Sequence, residues 1–306
     1  MTDTEAGTTD SAIVTRMISA NGLSFELLEC GEGDRLALCL HGFPSHAICW
    51  REQLPALAAL GYRAWAPNQR GYGRTTRPTH VADYTVERLL NDIAAIIDAS
   101  GARSTVLIAH DWGGLLAWFF AARRIRPLDG LIILNAPHPA CAAVAYRRWR
   151  QMRKGWYILA FQIPWLPDWL LSLNRAWAIG RLMVSVAGKR KVFSAETVEF
   201  YRNNASGKGA VTAMLNWYRG MMRGGVPPEL AGKFPTIETP TLVIWGDADV
   251  ALDFSCIEDV GKYTTDVTLH RLSGVSHWVQ EEVPDQVNRL IGDFLTQRVG
   301  TGTGPR

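Results

Sequence analysis

The stretch Ala109-His110-Asp111-Trp112-Gly113-Gly114 closes an apolar run, Ser104-Thr-Val-Leu-Ile108, and leads into a helical pattern from Leu115. A buried strand that turns through small residues into a helix presents its central side chain at the tip of the turn, where a nucleophile is exposed. The usual occupant is a serine hydroxyl; here it is the carboxylate of Asp111. A serine alkoxide suits attack on a carbonyl, whereas an aspartate attacking an ester would give a strained anhydride. Against a saturated carbon bearing a leaving oxygen or halogen, a carboxylate is a competent backside nucleophile that needs no base. The helix N-terminus favours its ionised form by about 0.3–1 kcal/mol. On its own, Asp111 reads equally as an ordinary helix N-cap.

Further segments give that carboxylate company. His41-Gly-Phe43-Pro44 follows the run Leu36–Leu40, and a loop there can aim a backbone N–H at a developing oxyanion. The residue after the nucleophile supplies the second donor, so the candidates are the N–H groups of Phe43 and Trp112. Asp247-Ala-Asp249 follows Trp245-Gly246, and Gly274-Val-Ser-His277-Trp278 follows Val267–Leu272. Nucleophile, acid and histidine thus arrive in the chain order of a Ser/Asp-type triad, each just past an expected strand. In that scheme His277 is the general base on a water and Asp249 fixes its tautomer, with Asp247 and Asp253 the neighbouring alternatives. Phe43, Trp112 and Trp278 are the expected substrate contacts. His110, one residue before the nucleophile on a strand, is expected to point to the other side and to be structural.

The elements that must hold these groups show in the patterning. Residues 14–31 read as two strands around an Asn21-Gly22 turn. Unbroken apolar runs at 36–40, 63–66, 105–108, 131–134 and 241–244 match strands covered on both faces, and helical patterns such as Val86–Ile97 lie between them. This alternation predicts an α/β fold with a mostly parallel sheet flanked by helices. The rhythm breaks between about His138 and Lys233, a Trp- and Arg-rich stretch expected to be a helical cap over the carboxyl ends of the strands. The expected division is a core of 1–137 and 236–306 with a cap of 138–235, the ends at about 1–12 and 299–306 being loose. Within the cap, Trp165, Trp169, Leu170, Leu171 and Trp177 are expected mostly to pack inward. The basic run Arg147, Arg148, Arg150, Arg153, Lys154 is expected to be a solvated helix face rather than a membrane or partner surface.

Composition bounds the rest. The chain has 306 residues, 47% of them hydrophobic and 20% charged, and a net charge of +3. That balance is too mild to argue for nucleic acid. The five cysteines are scattered, with no C-x-x-C pair, which suits reduced thiols in a cytoplasmic setting and offers no metal site. No apolar run approaches the roughly 18 residues of a membrane span, and no secretory leader is apparent. No cofactor or metal is implied, and the expected assembly is a monomer or homodimer.

Over roughly Ile18 to Phe294 the core segments resemble the α/β-hydrolase fold, and specifically its epoxide hydrolase branch. The matching motifs are HGFP (41–44), HDWGG (110–114), WGDAD (245–249) and GVSHW (274–278), with the R-G-Y-G loop of 70–73 in a structural role. Leu215-Asn-Trp-Tyr218-Arg219 resembles the cap stretch that ends in a ring-opening tyrosine. Tyr157, upstream of Phe161-Gln-x-Pro164, resembles the partner tyrosine, with Tyr146 and Tyr201 also in the cap. The resemblance implies hydrolysis of a small lipophilic epoxide by water to a vicinal diol, through an alkyl ester on Asp111. A tyrosine, protonated at neutral pH, would donate to the leaving oxygen. A haloalkane or haloacid dehalogenase of the same fold is the alternative enzyme. Trp112 fits the halide-holding indole of haloalkane dehalogenases but Phe43 does not fit their polar loop residue, while fluoroacetate dehalogenases share HGFP but carry Arg where this chain has Trp112. A ligand-binding protein without turnover is the alternative of another class, and the intact Asp111, Asp249 and His277 argue against it.

Overall fold

The computed structural model describes residues 12–187, 192–225 and 227–300. Its strands are β1 (Val14–Ala20), β2 (Leu23–Cys30), β3 (Arg35–Leu40), β4 (Arg63–Pro67), β5 (Ser104–His110), β6 (Gly130–Leu134), β7 (Thr241–Gly246) and β8 (Val267–Leu272). They form one eight-stranded sheet in the order β1-β2-β4-β3-β5-β6-β7-β8. β1 pairs antiparallel with β2 and β2 with β4; every other pair is parallel.

The central strands are apolar without interruption because both faces are buried. Along β3, Leu36, Leu38 and Leu40 enter one core while Ala37 and Cys39 enter the other. Around the sheet lie α1 (Gln53–Ala59), α2 (Val86–Ser100) and α3 (Trp112–Ala122). The α2 helix stops at Gly101, whose φ of 63° is the left-handed cap that glycine takes without strain. All five cysteines are buried.

Between β6 and β7 the chain is helical. The elements are α4 (Pro139–Ala145), α5 (Trp149–Lys154), α6 (Trp156–Ala160), α7 (Leu166–Val186), α8 (Ala195–Ala205), α9 (Ala210–Arg223) and α10 (Pro228–Ala231). After β8 come α11 (Val279–Glu282) and α12 (Pro284–Phe294). The α9 helix is pinned to the core: Gly220 lies against the Tyr84 backbone so closely that a Cβ would collide, and Trp217 Nε1 donates to the Arg70 carbonyl at 3.1 Å. Arg70 is itself held by a two-pronged pair with Asp92, both contacts at 2.6 Å, and a buried pair of this kind costs about 3–5 kcal/mol to break by removing one partner. By contrast α6 contains no fully buried residue.

The structure corrects one reading of the cap. Trp165, Trp169, Leu170 and Trp177 face outward rather than in; only Leu171 turns toward the interior. A break in α7, where residues 174–176 all take positive φ, separates Trp177 from the other three. The stripe of α7 that remains buried consists of Pro167, Ala176, Ile179, Gly180 and Met183. Small residues there let the helix approach α8, and the indoles are left on the other side. The loose ends expected at 1–12 and 299–306 fall mostly outside the described residues; Val299 completes a final helical turn, and the Gly300 carbonyl accepts from Arg35 at 2.8 Å.

Candidate active site

The turn between β5 and α3 holds Asp111 at φ 51° and ψ −119°, a backbone conformation unfavourable for a side-chain-bearing residue. Its surroundings explain the small residues. A Cβ at Gly113 would meet the Leu40 and His41 carbonyls, and one at Gly114 would meet Ala136. Gly42 approaches from the other side, and a side chain there would strike the Asp111 carboxylate. The α3 helix begins at Trp112, three residues before the sequence pattern indicated, which brings the first free N–H of the helix to Asp111.

Asp111 Oδ1 accepts from the Phe43 N–H at 2.8 Å, and the Trp112 N–H also bonds the carboxylate. The other oxygen, Oδ2, lies 3.7 Å from His277 Nε2. Burial pushes the Asp111 carboxyl above its ordinary range, against the pull of His277 and the N–H donors. The stabilisation expected from the helix end is therefore present but outweighed.

His277 lies in the loop after β8, and its Nδ1 is 2.7 Å from Asp249 Oδ2. Burial disfavours a charged imidazole, yet the Asp249 carboxylate, its hydrogen bond and Asp111 together hold His277 above its usual pKa. Asp249 is 4% exposed, and although burial opposes its charge, His277 and its hydrogen-bond donors keep it below the ordinary carboxylate value. Those donors are Asn135 Nδ2 at 2.7 Å and the Ala251 and Leu252 N–H groups at 2.8 and 2.9 Å. The neighbouring acids are engaged elsewhere. Asp247 accepts from the Gly274 N–H at 2.8 Å, and Asp253 caps Ser255 and pairs with Arg150.

Tyr218 on α9 and Tyr157 on α6 face Asp111 from the cap, their ring centroids 6.0 Å apart. Tyr218 is 4% exposed, edge-on to Phe43 and Trp112, and the Trp112 indole N–H bonds its hydroxyl oxygen. Burial raises both phenols well above 10, so each carries its proton at neutral pH. Tyr146 lines the same cavity farther along, whereas Tyr201 is spent on the Glu281 carboxylate at 3.1 Å. Two chambers meet at Asp111, Tyr157 and Tyr218. The smaller, about 210 Å³, runs past Trp112, Leu115 and Ala142. The larger, about 500 Å³, is bounded by Phe43, His277 and Trp278 and reaches exposed Trp156 and Arg181.

Three contributors were not picked out from the sequence. Asn135 follows β6 directly, bonds Asp249 and accepts the Gly246 N–H at 2.7 Å; its position just past a strand end was the available signal. Lys154 leaves the basic run to donate from Nζ to the Asp249 and Leu252 carbonyls, at 2.7 and 3.1 Å. His110, expected to be structural, lies against His277: its Nε2 bonds the His277 carbonyl at 2.9 Å, and the rings are 4.6 Å apart.

Residues 38–284 match the family model described as alpha/beta hydrolase fold. The chain is 36% identical to human epoxide hydrolase 4 over 287 residues, covering 92% of this chain and 78% of that protein. It is 31% identical to epoxide hydrolase A of Mycobacterium tuberculosis, over 92% of this chain and 97% of the relative. Among solved structures it is similar to the Bacillus megaterium epoxide hydrolase bound to an inhibitor, with a TM-score of 0.84, 27% identity, and coverage of 92% and 100%.

Proposed function

The chain belongs to the α/β-hydrolase fold family and to its epoxide hydrolases, and from that premise we propose that it hydrolyses a lipophilic epoxide to a vicinal diol through an ester on Asp111. Phe43 already holds Oδ1, so Oδ2 is the attacking oxygen. Its lone pair forms a bond to one epoxide carbon from the back, the carbon–oxygen bond of the ring breaks, and the leaving oxygen takes a proton from Tyr218 or Tyr157. In the second step His277 Nε2 removes a proton from water, and the hydroxide adds to Cγ of Asp111. The charge that gathers on Oδ1 is met by the N–H groups of Phe43 and Trp112, each such donor being worth roughly 3–4 kcal/mol. Collapse breaks the bond between Cγ and Oδ2, and the diol departs with that oxygen. The departing alkoxide takes the proton held by His277, and the second proton of the water, left on the Asp111 carboxyl, returns to the phenolate, so that acid, base and nucleophile are all restored.

The observation that carries this reading is the facing of the elbow carboxylate by two protonated phenols across one cavity. An epoxide oxygen leaves as an alkoxide and needs a proton; a halide needs none. The Trp112 indole N–H, the group a dehalogenase would turn to the halide, is directed at Tyr218, which also supports the epoxide. We further take residues 138–235 as the cap that supplies these phenols. A panel of aryl, alkyl and fatty epoxides beside alkyl halides tests the proposal. Diol release in excess of enzyme, without halide release, is expected; halide release or no turnover on any epoxide refutes it.

A further inference from the structure

The structure sorts the twelve tryptophans of the chain into two classes. Seven are buried, and Trp149, Trp156, Trp165, Trp169 and Trp177 are between 55% and 73% exposed. All of the exposed ones lie on the segment from α5 to the second half of α7, where Met152, Leu159 and Ile163 are also in solvent. So many large apolar side chains in solvent along one stretch of chain mark an interaction site rather than ordinary scatter.

The same segment is strongly basic. The stretch Pro139–Ala187 that contains it carries seven Lys or Arg and a single acid, Asp168. Arg148, Arg150, Lys154 and Arg175 are paired with Glu258, Asp253 and Glu199 from outside the stretch. Asp168 is bound to Arg219 at 2.5 Å. Arg147, Arg153 and Arg181 are exposed, and among the described residues none of them has a carboxylate partner. Arg181 instead lies over the Trp177 ring, 5.7 Å from its centroid. Trp156 and Arg181 are at the same time part of the larger chamber that ends on Asp111.

We propose that this outer face of the cap docks on an anionic phospholipid surface, the indoles entering at headgroup level and the unpaired arginines meeting the phosphates, with the larger chamber opening toward the bilayer. Indole rings prefer the membrane interface, and basic side chains are drawn to anionic headgroups. Indoles also serve in protein and nucleic-acid contacts. The lipid surface is favoured because Trp156 and Arg181 of this patch also line the chamber that ends on Asp111, which suits delivery of a lipophilic substrate from a bilayer. No helix among the described residues is long and apolar enough to cross a membrane, so the attachment is peripheral. A substrate dissolved in the bilayer would reach the nucleophile without crossing water. The docking is independent of the reaction at Asp111 and is read by binding alone.

The test is sedimentation of the full chain with phosphatidylcholine vesicles, with and without phosphatidylglycerol. At least about tenfold tighter binding to the anionic vesicles is expected, weakening as salt is added. Brominated lipid should quench tryptophan emission. The variant combining Arg147→Glu, Trp149→Ser and Arg153→Glu should lose that binding about tenfold while melting as the parent does. Arg103→Glu, a charge reversal on the core surface, should bind as the parent. Equal binding to neutral and anionic vesicles, no binding to either, or binding without quenching overturns the proposal, as does a triple variant that binds normally. Quenching and anionic preference in the parent protein decide the matter even if the triple variant does not fold.

Discussion

Oδ1 of Asp111 accepts the Phe43 N–H at 2.8 Å, so the two oxygens of the nucleophile are not equivalent. Under the proposed ester mechanism, the oxygen that leaves with the first diol comes from the protein. In a single turnover in ¹⁸O-water, we expect an unlabelled diol and label in the Asp111 carboxylate, read by peptide mass spectrometry. Label appearing only in the diol means that water attacks the substrate directly.

His277 acts only in the second step of the scheme. His277→Gln should therefore still be alkylated and then stall, gaining the mass of one substrate on intact protein. Turnover should fall by about 10²–10⁴-fold, the range for loss of a positioned base. An unmodified protein after incubation with excess epoxide would contradict this division of labour.

In the proposed scheme Tyr157 and Tyr218 both donate to the leaving oxygen, so single replacements should be partly covered by the other phenol. Tyr218→Phe should slow ester formation about tenfold or more, and the double variant with Tyr157→Phe by about 10²–10⁴-fold, measured by stopped-flow tryptophan fluorescence. Tyr201→Phe, which touches Glu281 and not the cavity, should leave ester formation unchanged. Equal losses for Tyr218→Phe and Tyr201→Phe would remove Tyr218 from the acid role.

The base must be neutral to accept a proton, and Asp249 holds the His277 pKa above the ordinary 6.5. Ester hydrolysis should therefore fall as pH drops through that raised value. Asp249→Asn removes the anion, so the acid limb should move to lower pH while kcat falls through loss of ring orientation. The phenols titrate well above 10, so no alkaline limb from them is expected below about pH 10. An acid limb that stays in place in Asp249→Asn would mean that another group sets it.

The two chambers differ in size, about 210 and 500 Å³, and meet at the nucleophile. Ala142→Leu projects into the smaller one. The expected result is a KM raised about tenfold for internal, disubstituted epoxides, the cost of displacing one or two methylenes. Terminal epoxides, which need only the larger chamber, should be unaffected. Equal effects on both classes would show that the smaller chamber does not receive substrate.

Much of this arrangement was legible because the residues involved sit where physics leaves a local trace. The strands of the sheet are buried on both faces, so Leu36–Leu40 and Thr241–Ile244 are apolar without alternation. Asp111, Asp249 and His277 each follow such a run. What the sequence did not disclose depends on tertiary approach. Asn135 reaches Asp249 only because β6 and β7 pair in parallel register. His110 meets His277 only because the loop after β8 folds over the end of β5. The break in α7 carries no proline or glycine at 173–176, so nothing local announced it, nor did anything local announce that Trp165, Trp169 and Trp177 would turn outward. The basic run was correctly taken as exposed at Arg147, Arg150 and Arg153, but Lys154 is half-buried against carbonyls of the Asp249 loop.

The pinning of α9 on the Tyr84 backbone has its own outcome for the working cycle. One phenol is anchored as firmly as the sheet itself, while the other rides on a short helix with no fully buried residue. Any widening of the chamber to admit a bulky molecule would therefore fall on the Tyr157 flank and leave the placement of Tyr218 over Asp111 unchanged.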